Sequence, residues 1–218
     1  MLSKSRIIQL LEEGSFSELI EAAGNGRSIF RPLLSLTYNK DSLVCWRAIE
    51  AIGIVTGRLT KEDVAETRSL VQRLLWMMRD ESGNNVGSAP EILGEIVRNS
   101  PEQFSDIVPI LASFHDEAGL RRGVFRALER IAEVSPDLCG PAAAPQIGEY
   151  IDSEDEYVRA YAILLVGMIG LKQFTPSLEG LLGDSSAVTI YRQGTLQSHT
   201  VGRIAEETLI KLGKEGEK

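Results

Sequence analysis

The sequence predicts an all-α chain built as a row of stacked helical hairpins, and three observations carry that prediction. Amphipathic segments with apolar residues at helical spacing alternate with short polar turns along nearly the whole length. Aspartates at the turns, Asp41, Asp80, Asp116, Asp152 and Asp184, are separated by 39, 36, 36 and 32 residues, a period that signals a solenoid of helix pairs. Aromatics make up only 6% of the residues while Leu, Ile, Ala and Glu abound, which suits helix packed on helix better than sheet.

The clearest unit is Asp155 to Gly170, where Val158, Ala162, Leu165 and Ile169 recur at helical spacing and Ala160, Ala162 and Gly167 admit a close neighbour. Before it, Ser3–Glu13 and a second short helix around Phe16, Leu19, Ile20 and Ala23 form an N-terminal capping hairpin over residues 1–26. Gly24 to Arg27 is a turn, and Ile29–Tyr38 a short helix with Pro32 in its first turn, where a missing N–H matters least. A longer helix over Ser42–Gly57 carries Trp46 at a core position. Thr60 to Asp63 reads as a capping box opening a helix through Val64, Leu70, Leu74 and Trp76, again with the tryptophan in the core. After the Gly/Asn-rich loop Ser82–Gly87 come Ser88–Val97, then a continuous helix over Pro101–Phe114, then Leu120–Val134 ended by Ser135-Pro136. Pro141–Ile151 is the next short helix, Phe174–Leu182 another, and a last helix starts near Thr200.

One stretch departs from the helical rule. Ala187-Val-Thr-Ile-Tyr-Arg, then Gln193-Gly194, then Thr195-Leu-Gln-Ser-His alternates around a glycine and predicts a β-hairpin inserted over residues 185–198 of the last repeat. It serves either as a binding element or as a flap over the end of the core. Residues 214–218 read as a disordered tail, and residues 1–218 as a single domain.

The run of Leu or Ile, an acidic turn, Val-Arg-x-x-Ala and Gly-x-Ile-Gly at Asp155–Gly170 resembles the HEAT family, in particular the short HEAT-like repeats of bacterial proteins and phycobilisome lyase subunits. Partial matches at Arg47, Ala51 and Gly53, at Arg122 and Ala127, and at Leu93-Gly94 extend the resemblance over Ile29–Gly213. It implies a right-handed α-solenoid of about five to six hairpins with a concave face. It also implies that Arg47, Arg122 and Arg159, at equivalent repeat positions, each reach an aspartate of the next repeat, and only secondarily a partner.

Composition limits the functions. The chain has 23 basic and 31 acidic residues, a formal charge of −8, so its average field repels nucleic-acid backbones and anionic membrane surfaces. Arg121, Arg122, Arg126 and Arg130 cluster, but Glu117, Glu129 and Glu133 are interleaved. Two distant cysteines, Cys45 and Cys139, imply no disulfide framework and read as buried apolar side chains. The N-terminal apolar run is too short for a leader or a membrane span, so a cytoplasmic location is expected.

No catalytic constellation is evident, and no cofactor is expected. Deoxyhypusine hydroxylases of similar repeat type hold iron through His-Glu dipeptides, whereas His115 and His199 here precede Asp116 and Thr200. DNA glycosylases of this repeat type need a basic surface. Glu91 and Glu95 share a helical face, and Glu81 and His115 could join them as metal ligands, but solvated carboxylates are the commoner use of such residues and no metal is expected. The string Arg79-Asp80-Glu81, ahead of Glu91 and Glu95, is either a recognition point or a local network in which Asp80 caps its loop and Arg79 pairs with Glu91 or Glu95. Arg126 and Glu129, at other angles of their helix, are expected to be exposed. The partner-binding candidates are therefore Arg79, Asp80, Glu81, Glu91, Glu95, Arg122, Arg126, Glu129 and Tyr191. The expected function is a non-enzymatic adaptor for a partly basic protein or peptide, the alternative an accessory subunit or lyase-like protein that handles a cofactor or modifies a partner.

Overall fold

The computed structural model describes residues 2–24, 29–79 and 87–214; the 214–218 tail expected from the sequence falls almost wholly outside them, as do Asp80 and Glu81. The described residues are predominantly helical, with one two-stranded sheet near the C-terminus. They group into two compact units, Met1–Ser105 with Gln193–Thr195, and Asp106–Arg192 with Leu196–Lys218. No described helix is long and apolar enough to cross a membrane.

In the first unit, α1 (Lys4–Glu13) starts where Ser3 Oγ accepts from the Arg6 amide and stops at Gly14, whose positive φ of 68° supplies the left-handed cap. Ile7, Leu10 and Leu11 are its buried face, and Arg6 pairs with Glu18 of α2 (Ser17–Gly24), closing the predicted hairpin. After α3 (Phe30–Leu34), α4 (Leu43–Thr60) runs three residues past the predicted end. Thr60 is its last residue, buried, with Oγ1 donating to the Thr56 carbonyl, so it does not cap the following helix. That role falls to Asp63, whose Oδ1 accepts from the Glu66 amide at the start of α5 (Val64–Arg79).

Helix α6 (Ala89–Asn99) crosses α4 at its glycines. A Cβ at Gly53 would stand 2.6 Å from Glu95 Cβ, and one at Gly57 would stand 3.0 Å from Asn99 Cβ. Gly53 and Gly57, four residues apart, thus form a side-chain-free track on α4 along which α6 lies. A short α7 (Pro101–Phe104) ends the unit.

The continuous helix expected over Pro101–Phe114 is broken. Chain continuity would have set the Pro109 ring against the Ser105 carbonyl, so the helix restarts as α8 (Ile107–Ala112), with Pro109 in its first turn, and ends in a 3-10 turn over Ser113–Asp116. In this second unit, α9 (Ala118–Ala132), α10 (Pro136–Tyr150), α11 (Glu156–Ile169) and α13 (Val201–Lys214) pack in succession, with a 3-10 turn (Lys172–Phe174) and α12 (Thr175–Gly180) between the last two. Helix α10 begins five residues before the predicted start and carries Pro141 and Pro145 inside it, held by burial of Cys139, Ala143 and Ile147. Asp155 Oδ1 caps α11 by accepting from the Tyr157 and Val158 amides, and Gly170 at φ 77° ends it, matching the sequence reading closely.

Strands β1 (Ala187–Arg192) and β2 (Thr195–Thr200) form the expected hairpin, with Gln193 and Gly194 both at positive φ, as a two-residue turn of this hand requires. Val188, Ile190 and Tyr191 of β1 are buried, while β2 is mostly exposed.

Candidate functional site

The buried charges of α9 form the most elaborate polar cluster. Arg126 is 2% exposed and Glu129 fully buried. The Arg126 guanidinium pairs with Glu129, donates to the Tyr191 carbonyl at 2.5 Å and lies 5.6 Å from the Tyr161 ring centroid. Arg192 approaches the other Glu129 oxygen at 3.3 Å. The expectation that Arg126 and Glu129 are exposed is overturned: both are buried, and the end of β1 supplies the Tyr191 carbonyl and the Arg192 guanidinium as their partners. Tyr191, a candidate contact for a partner, is itself buried. The cluster's chemistry is fastening: two guanidinium groups converge on one buried carboxylate.

The arginines at equivalent repeat positions behave largely as the resemblance implied. Arg122 donates to Asp155 Oδ2 at 2.5 Å, lies 3.6 Å from Glu156 and stacks over Tyr157 at 4.6 Å. Arg159 holds Asp184 Oδ2 at 2.8 Å and the Ser186 hydroxyl at 3.0 Å, and donates to the Ser153 and Glu154 carbonyls. Burial alone would raise the Asp184 pKa; hydrogen bonds from the Ser186 hydroxyl and amide and from Arg159 outweigh it and hold the carboxyl below its usual range. Arg47 departs from the pattern, donating to the carbonyls of Leu11 at 2.8 Å and Glu12 at 2.6 Å, where it caps the open end of α1.

Glu91 and Glu95 lie on one face of α6, both buried. Lys40 pairs with Glu91, whose second oxygen has no hydrogen-bond partner among the described residues, and Arg98 stands 3.7 Å from Glu95. Each carboxylate thus faces a cation of its own, and the pairing of Arg79 with either is not formed; Arg79 is exposed at the end of α5. His115 instead gathers with Asp116 and Glu149, whose ligand-type atoms lie within 4.8 Å of one another. Glu149 was not among the sequence candidates, since nothing in local spacing links it to His115. The Arg121 guanidinium closes this group, donating to the His115 and Asp116 carbonyls and stacking over Tyr150 at 4.6 Å, so the cluster carries mixed charge.

A groove of about 480 Å³ opens between α3, α4 and α5, walled by Phe30, Leu34, Leu59 and Leu70 and rimmed by Arg31, Tyr38, Glu66 and Arg73. Trp76, placed in the core by the sequence pattern, is 65% exposed on the Ser69–Arg73 side of α5, while Val71, Leu74 and Met78 take the buried side. Its hydrophobicity, without the phase of the neighbouring residues, misdirected the prediction.

No family model matches the chain. An uncharacterised protein of Archaeoglobus fulgidus is 31% identical over 140 residues, covering 63% of this chain and 73% of that protein. Among solved structures, an engineered protein aligns with a TM-score of 0.55 at 17% identity over 98% of each chain, and a designed armadillo repeat protein with 0.53 at 19% identity over 96% of this chain and 92% of that one. The architecture is therefore a helical-repeat fold similar to that of the designed armadillo repeat protein.

Proposed function

Because this chain belongs to the same family as the uncharacterised Archaeoglobus fulgidus protein and has a helical-repeat fold, we propose that it is a non-enzymatic scaffold binding a partner protein or peptide along its stacked helices. The observation that carries this reading is where the repeat arginines go. Arg126, which is buried, half-buried Arg159 and exposed Arg122 each join one element to the next, so much of the polar chemistry of the repeats supports stacking. Recognition then falls to exposed side chains, with the formal charge of −8 favouring a partly basic partner in the encounter.

The test is affinity capture from the native host, followed by reconstitution of the captured protein with the purified chain and sedimentation analysis. A stoichiometric complex from purified components is the expected result. Failure of every captured protein to re-form a complex, or a purified chain with a visible absorbance band and turnover of a substrate, would replace the scaffold with the accessory or lyase-like role.

A further inference from the structure

Arginine satisfaction in this chain is uneven, and the unevenness is local. Guanidinium groups elsewhere have carboxylate or carbonyl partners, as at Arg6, Arg47, Arg58, Arg68, Arg121 and Arg203. Arg31, Arg73 and Arg79 have no hydrogen-bond or ion-pair partner among the described residues, and all three are exposed on α3 and α5. Arg31 and Arg73 stand at the rim of the α3–α4–α5 groove, whose walls are aliphatic and aromatic.

We propose that this groove is a docking site for an acidic peptide segment of a partner protein. An aliphatic or aromatic anchor of the peptide fills the apolar trough, and its flanking carboxylates pair with Arg31 and Arg73. The inference rests on the scaffold reading and deepens it by naming the site and the partner's chemistry. Charge complementarity selects the occupant: a guanidinium fork matches a carboxylate in bidentate geometry, and both rim arginines are available for one. Glu66, the acidic residue of the rim, already interacts within the chain. The trough is half open and of the size of a ligand pocket, which accommodates the side chains of a segment rather than a whole globular surface.

Exposed aromatics mark the same surface. Tyr38, 59% exposed, lines the groove, and Trp76 extends the Ser69–Arg73 side of α5 past its end. Tyrosine, tryptophan and arginine are the residue types that dominate binding energy at protein interfaces. The local preference is opposite in sign to that of the whole chain, so a partner bearing both a basic surface and an acidic apolar segment satisfies both.

The experiment is selection of a displayed library of random twelve-residue peptides on the full-length chain, with Arg31→Glu/Arg73→Glu as the counter-target. Circular dichroism establishes that this doubly substituted surface variant is folded. The expected result is enrichment of sequences that combine Asp or Glu with Leu, Phe or Trp, and synthetic representatives binding the variant at least tenfold more weakly than the wild type. Enrichment of basic or uncharged sequences, equal binding to both proteins, or no enrichment overturns the proposal. A native partner captured equally by wild type and variant sinks this site while leaving the scaffold intact, whereas absence of any reconstitutable partner sinks the scaffold itself.

Discussion

Arg159 and Asp184 face each other across 25 residues of sequence, with Nε and Nη2 at 3.0 and 2.8 Å from the same carboxylate oxygen. The contact joins the start of α11 to the segment that leads into the hairpin. Because the folded state holds Asp184 below its ordinary value of 3.8, the carboxylate's contribution is fully present above about pH 4 and is lost as pH falls through the lower, folded-state value. Asp184→Asn should therefore unfold more easily at pH 7 by about 1.5–3 kcal/mol, the worth of hydrogen bonds to a charged group. The gap to wild type should close below pH 4. Urea denaturation followed by circular dichroism between pH 3 and 7 measures both.

The crossing of α4 and α6 makes a steric prediction. A methyl group at residue 53 meets Glu95 Cβ at 2.6 Å and the Glu95 carbonyl at 2.7 Å, so Gly53→Ala must push two helices apart. The expected loss is about 1–3 kcal/mol. Gly119→Ala near the start of α9, where nothing lies within 4 Å, should be neutral or stabilising by up to about 1 kcal/mol. Thermal melts of the two variants should move in these different directions.

Removing one member of the α9 cluster leaves the others buried. Glu129→Ala removes the buried carboxylate that Arg126 and Arg192 both approach, and should cost about 3–5 kcal/mol. The paired replacement Arg126→Met/Glu129→Leu should cost less than the two single changes added together, because neither charge is then left alone. A double-mutant cycle by chemical denaturation decides it.

Both cysteines should be inert in the folded chain. Burial pushes the Cys45 thiol up to about 11 and Cys139 up to about 12, and Cys139 Sγ also donates to the Leu128 carbonyl. Since the thiolate is the reacting form, Ellman's reagent at pH 8 should label neither in native buffer and both in strong denaturant. Fast labelling of Cys139 without denaturant would mean that α10 opens readily.

The two tryptophans should report separately. Trp46 is buried and its indole N–H donates to the Lys40 carbonyl at 2.8 Å, whereas Trp76 faces solvent. Trp76→Phe should leave a blue-shifted emission that acrylamide quenches weakly, and Trp46→Phe a red-shifted one quenched strongly. Trp76→Phe should change stability by no more than about 0.5 kcal/mol.

These residues also show how far the sequence could be read. Asp155, Gly170 and the Gln193-Gly194 turn act through local backbone chemistry, so helix α11 and the hairpin were legible from a few neighbouring letters. The arginine pattern carried the Arg122–Asp155 and Arg159–Asp184 contacts because repetition makes register visible. Trp76, Arg126 and Glu129 were misread, since their exposure depends on which element arrives to cover a helix face, and the hairpin carbonyl that Arg126 bonds lies 65 residues away. The helix break before Pro109 was legible in principle, and the helical period around it masked it. The α3–α4–α5 groove had no sequence signal beyond its separate apolar residues, and Asp80 and Glu81 lie outside the described residues.

Gly202 sits just inside α13, where the chain leaves β2. A Cβ there would lie 2.5 Å from the Leu182 carbonyl oxygen and 3.0 Å from that of Asp184, and the Gly202 amide donates to Asp184 at 2.9 Å. The return of the chain from the strands to the last helix is thus a doorway as wide as bare backbone. A side chain at residue 202 would have to displace the Leu182–Asp184 segment or the start of α13, so the register between the hairpin and the last helix depends on this residue having none.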